Sequence, residues 1–175
     1  MISPQTLIQL KAFARQDGFI LSIIWLISMW MYIKVPESII GPLLMFSTPF
    51  FVTWRLNAFR DKALGGHISM RRSIAYACYV VFYASLIFAI GQYLYFTYLD
   101  NGDFLRLINA GKEYISNNNQ TIGMNINDLD IAVKTIGMMN PIQLVFSFMM
   151  NNLVIGALMS PVVAILSKIT EKRKK

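Results

Sequence analysis

Charge is what this sequence has least of. Asp, Glu, Lys and Arg make up 14% of its 175 residues, against roughly a quarter in a soluble domain. The deficit is uneven, because charges vanish from four stretches and crowd the gaps between them. That distribution excludes an ordinary soluble domain and places lipid around most of the chain. Cysteine occurs once, as Cys78 inside an apolar run, which excludes a disulfide framework and a thiolate metal site. Histidine also occurs once. His67 follows Gly65 and Gly66 in a basic stretch and reads as a solvated loop residue. No phosphate-cradling glycine loop, zinc-protease helix or nucleophile elbow is present. No acid, base or nucleophile is placed at membrane depth, so neither an enzyme nor a bound cofactor or metal is expected.

Apolar residues, by contrast, reach 55%. Crossing a hydrocarbon core of about 30 Å takes roughly 20 apolar helical residues. Runs 18–33, 36–54, 73–99 and 141–166 meet or approach that length, and the only charged residue in any of them is Glu37. The first run has a long apolar core and no small-residue cleavage site, so it reads as an uncleaved span rather than a signal peptide. Only Lys34 and Val35 separate it from Pro36, and proline favours the first turn of a helix, which predicts a tight hairpin of spans one and two. The expected fold class is all-α: a single membrane domain over residues 1–175, folded as an integral membrane four-helix bundle with amphipathic interfacial helices.

The net charge of +7 raises the question of nucleic acid, but most of the cations flank apolar runs, where they meet lipid headgroups. No nucleic-acid partner is expected. Loop 55–72 carries Arg55, Arg60, Lys62, Arg71 and Arg72 against Asp61. The tail carries Lys168, Lys172, Arg173, Lys174 and Lys175 against Glu171. Segment 100–139 is acidic on balance, with Asp100, Asp103, Glu113, Asp128 and Asp130 against Arg106, Lys112 and Lys134. Four crossings with the basic regions inside put both termini in the cytoplasm and 100–139 in the periplasm.

Two flanking regions read as helices that do not span. Ser3 and Pro4 start one whose Leu7, Ile8, Leu10 and Phe13 would rest on the cytoplasmic membrane surface. Segment 100–139 holds two amphipathic patches, one with Phe104, Leu107, Ile108 and Ile115, the other with Leu129, Ala132, Val133 and Ile136. Asn117, Asn118, Asn119 and Gln120 begin a polar link between them, and Asn140-Pro141 marks the start of span four. The two patches are expected to cap the periplasmic end of the bundle.

Span four also holds the most informative polar group. An unpaired amide in hydrocarbon costs several kcal/mol, so Asn151 and Asn152 need partners. With Ser147, Gly156 and Ser160 they make a candidate intramembrane polar face. Gly156 and Ser160 form a small-xxx-small pair that admits a neighbouring backbone. Two readings stand: hydrogen-bonding glue between helices, or a site for a substrate or lipid headgroup. In span two, Pro49 follows Ser47 and Thr48, whose hydroxyls can satisfy carbonyls that a proline frees. Tyr76, Tyr79 and Tyr83 share one face of span three and read as anchors at its inner end; Tyr93, Tyr95 and Tyr98 read as an aromatic belt at its outer end.

The loop Phe59-Arg60-Asp61-Lys62-Ala63-Leu64-Gly65-Gly66-His67-Ile68-Ser69, the tyrosine-rich third span, and Asn140-Pro141 opening a glycine-bearing, lysine-terminated fourth span together resemble domain of unknown function 4199. That family comprises small four-pass membrane proteins, mainly of Bacteroidota. The likeness covers nearly the whole chain, although the first span here is bulkier than the family's glycine-rich one. The resemblance implies a bacterial inner-membrane location and an envelope-assembly setting, and it implies no activity. The leading expectation is a non-enzymatic accessory or scaffold subunit, acting through membrane lipid, another membrane protein or further copies of itself. The alternative is a small transporter, pore or lipid-handling protein using the polar face of span four.

Overall fold

Backbone amides in hydrocarbon find no water, so apolar runs satisfy them internally as helices. The computed structural model describes residues 4–117 and 126–172, and among these it contains helices and turns but no strand. The order is α1 (Pro4–Lys34), α2 (Ile40–Phe46), α3 (Thr48–Ala63), α4 (Met70–Tyr98), α5 (Asp103–Asn117), α6 (Ile126–Met138) and α7 (Pro141–Lys172). Three of these, α1, α4 and α7, are long and apolar enough to cross a membrane. The polar link expected between the outer patches falls largely on residues outside the described ones.

Several boundaries differ from the sequence expectation, each for a physical reason. The expected surface helix and span one are a single helix, α1. Leu10 and Ala14 are fully buried in the core, so this first stretch packs on protein rather than lying on the membrane surface. Helix α2 begins at Ile40 rather than at Pro36; Pro36 and Glu37 sit in a turn closed by Ser38 N donating to Val35 O at 2.9 Å. The basic loop expected over 55–72 is mostly helix, because α3 runs on to Ala63 and only 64–69 connect it to α4. Gly65 and Gly66 hold positive φ there (63° and 90°), a left-handed conformation that glycine adopts without steric cost.

Span two is interrupted at Ser47. Pro49 has no N–H to give the Met45 carbonyl, and Thr48 Oγ1 donates to that oxygen instead, at 2.7 Å. Ser47 Oγ donates to Leu44 O at 2.6 Å. The expected hydroxyl rescue is thus present. Backbone bonds Ser47 N to Leu43 O and Phe51 N to Ser47 O carry α2 into α3. At the head of α7, Asn140 and Gln143 form a reciprocal capping box at 2.9 and 3.1 Å.

Helix α4 is the centre of the bundle, packed on one side against α1 and on the other against α7, while α3 packs on α7 and α4. Close approach depends on glycine: a Cβ on Gly156 would lie 2.3 Å from Val81 Cγ1, and one on Gly18 2.8 Å from the Val80 carbonyl oxygen. The core concentrates at the end bearing the α3–α4 turn, around Leu10, Leu21, Leu56, Phe59, Tyr76 and Val80. At the other end α2 packs on α1 and is not packed against α4 or α7.

Helices α5 and α6 match the two expected patches. Lys34, at the last turn of α1, pairs with Asp103, which also takes Arg106. Lys112 on α5 pairs with Asp130 on α6. The Lys112 ammonium bonded to Asp130, with Lys134 nearby, holds that carboxyl below its ordinary range. A lowered folded-state value means the pair contributes above the unfolded value, near pH 4, and is lost as pH falls through the folded one. Spin labels on α5 and α6 should therefore separate in acid below about pH 4, and Asp130→Asn should show the same separation at neutral pH. An unchanged distance in the variant would show that the ion pair does not hold the two helices together.

Candidate functional site: an apolar chamber closed at one end

The uneven packing leaves a cavity of about 510 Å³ bounded by α1, α2, α4 and α7. Its floor is the point where α1 meets the start of α3. Trp25 is buried there, and its Nε1 donates to Thr48 Oγ1 at 2.9 Å. The ring packs edge-on against Phe88, centroids 5.6 Å apart, a favoured aromatic geometry. Thr48 thus accepts from α1 while repairing the break before Pro49. One wall is α1 and α2, held together where Ser28 Oγ donates to the Gly41 carbonyl at 2.6 Å. The opposite wall is α4 and α7, with Val81 packed on Gly156. The roof is aromatic: Phe104 of α5 lies 5.1 Å from Phe96 and 5.9 Å from Phe148. Phe104 thus gives α5 its place on the bundle, while α6 rests on α5. The rim includes the exposed Met45 and Phe46 of α2 and Ile155 of α7, so the chamber opens sideways between α2 and α7.

The candidate polar face of span four is divided by this arrangement. Asn152, Gly156 and Ser160 line the chamber. Ser160 is buried; its hydroxyl donates to Gly156 O at 2.7 Å and accepts from Cys78 Sγ at 3.2 Å, so the lone cysteine serves the α4–α7 contact. Ser147 and Asn151 are exposed on the other side of α7. The five residues therefore do not form one face. The hydroxyls of Ser28, Thr48 and Ser160 all bond within the protein. The chamber's remaining polar lining is Tyr32, exposed at the rim, Asn152, half-buried, and buried Gln92, whose Oε1 has no hydrogen-bond partner among the described residues.

Beneath the floor lies a polar cluster that reading the runs alone misses. Asp17 is 1% exposed. Its Oδ1 accepts from Arg55 Nε at 2.6 Å, and its Oδ2 accepts from the Tyr76 hydroxyl. Tyr76 is fully buried and stacks on Phe59 at 5.1 Å, so it is a core residue rather than an interfacial anchor. Tyr95 is likewise buried, while Tyr93 and Tyr98 are exposed as a belt requires. Nearby, buried Arg60 donates to the Ser167 carbonyl at 3.1 Å, tying α3 to α7. A buried charge needs a partner, and each of these has one. His67 is exposed, its Nδ1 2.6 Å from Glu171 Oε1. A signal for Asp17 existed: Leu10, Ala14, Asp17 and Leu21 follow 4-3-4 spacing, which puts the carboxylate on the core face of α1.

The helices and the side-opening chamber together define an all-helical membrane protein. The family model described as Protein of unknown function (DUF4199) matches residues 16–168, and the chain belongs to that family. No curated protein and no solved structure matches it.

Proposed function

We propose that this protein is a non-enzymatic inner-membrane protein that holds the hydrocarbon chain of a membrane lipid between its spans, as an accessory subunit in envelope biogenesis. One observation carries the reading: the bundle is sealed at its basic end and open at the other, around an apolar chamber of about 510 Å³. That volume lies within the range of small-molecule sites, roughly 300–1,000 Å³. An acyl or isoprenoid chain can enter sideways from the bilayer without crossing water. Tyr32, Gln92 and Asn152 supply the few polar contacts such a ligand would meet. Protein purified in mild detergent and measured by native mass spectrometry should carry one lipid per chain; a chain without lipid after gentle extraction refutes the proposal.

In this reading α2 and α3 together make the fourth crossing, and both termini lie in the cytoplasm. The chamber then opens toward the periplasmic leaflet, with α5 as its cover. Alkaline phosphatase fused after Asn119 should be active, and fused after Gly66 inactive. The reverse pattern would turn the molecule over.

A further inference from the structure

The outward side of α7 carries a polar residue where lipid should be. Asn151 lies about 15 Å along the axis from Pro141 at 1.5 Å per residue, near the middle of a hydrocarbon core of about 30 Å. It is exposed, and Ser147, four residues before it, is exposed as well. Between residues 144 and 166 these are the only exposed polar side chains on α7. The corresponding depths of α1 and α4 expose Ile23, Ile27, Phe82, Leu86 and Ile90 instead. An amide left facing hydrocarbon is costly, so Asn151 points to a protein neighbour.

The neighbours of Asn151 indicate which one. Ser147, Asn151, Val154, Leu158, Pro161 and Ile165 are all exposed. Their 4-3-4-3-4 spacing is the seam of a left-handed helix pair, with Asn151 at the position where a buried asparagine fixes register. Copies of one chain inserted the same way present parallel α7 helices. On a two-fold axis each residue then meets its own mate, and an amide, being both donor and acceptor, satisfies itself. A different protein would have to place a matching polar group at this depth. We infer that the protein is a parallel homodimer joined along α7, its register set by the Asn151 pair. This face is separate from the chamber, so the inference stands apart from the lipid proposal.

Oxidative cross-linking of the full chain in native membranes tests it, in a Cys78→Ser background. Val154→Cys and Leu158→Cys should give a covalent species of twice the monomer mass, while Ile23→Cys and Ile90→Cys, on other lipid-facing surfaces, should not. Adding Asn151→Leu should weaken dimerisation about three- to tenfold, the range of interhelical hydrogen bonds in membranes, and Asn151→Gln should retain most of it. Leucine at an exposed membrane position leaves the monomer fold intact, which an unchanged helical circular-dichroism spectrum confirms. The inference is overturned by equal yields at all four cysteine positions, by no dimer at any, by a product of another mass, or by yields indifferent to Asn151→Leu.

Discussion

Arg55→Leu is expected to destabilise the bundle by about 3–5 kcal/mol, the usual consequence of removing one partner from a buried ion pair. Asp17 is almost wholly enclosed, whereas the Arg55 side chain is 22% exposed, so the two halves of the pair are not equivalent. Without the guanidinium, the buried carboxyl keeps only the Tyr76 hydroxyl as a partner. Asp17→Leu should cost less, since Arg55 can turn toward water. The double variant should recover much of the loss of Arg55→Leu, because apolar residues of similar size often replace a buried pair at little net cost. Unfolding in detergent, read by circular dichroism for all three variants, gives the coupling. A loss below about 1 kcal/mol for Arg55→Leu, the level of an exposed pair, would show that Asp17 is reached by water.

Filling the chamber should have the second large effect. Asn152→Trp and Met45→Trp place bulky rings at the α7 wall and the α2 rim, occupying much of the volume a chain would use. Each is expected to reduce co-purified lipid at least tenfold, equivalent to about 1.4 kcal/mol in binding, with the fold retained because both positions face space rather than packed core. Phe19→Trp, on the exposed outside of α1, should leave the bound lipid unchanged. If all three variants retain lipid equally, the lipid is annular and the chamber is not its site.

Much of this architecture is written locally. The Asn140–Gln143 cap and the Ser47-Thr48-Pro49 rescue depend on residues within one turn. The first, third and fourth apolar runs correspond to the long helices α1, α4 and α7, whereas the second is split between α2 and α3. What depends on helix rotation is harder to read. Asn151 and Asn152 are adjacent, yet a step of 100° sends one outward and the other into the chamber. Asp17 borders an apolar run and resembles any interfacial charge until its alignment with Leu10, Ala14 and Leu21 is noticed. The chamber itself was not legible. It follows from α2 siding with α1 while α3 joins α7, a tertiary choice made around the break at Ser47.

The central claim, a lipid chain held between α2 and α7, is tested most directly by photolabelling. A phospholipid with a diazirine near the end of one acyl chain, incorporated into vesicles with the protein, should label chamber residues such as Trp25, Met29, Phe88 and Val163 on irradiation, and Asn152→Trp should abolish that labelling. Labelling spread evenly over lipid-facing residues such as Ile23, Leu86 and Ile90, and unaffected by Asn152→Trp, would contradict the account.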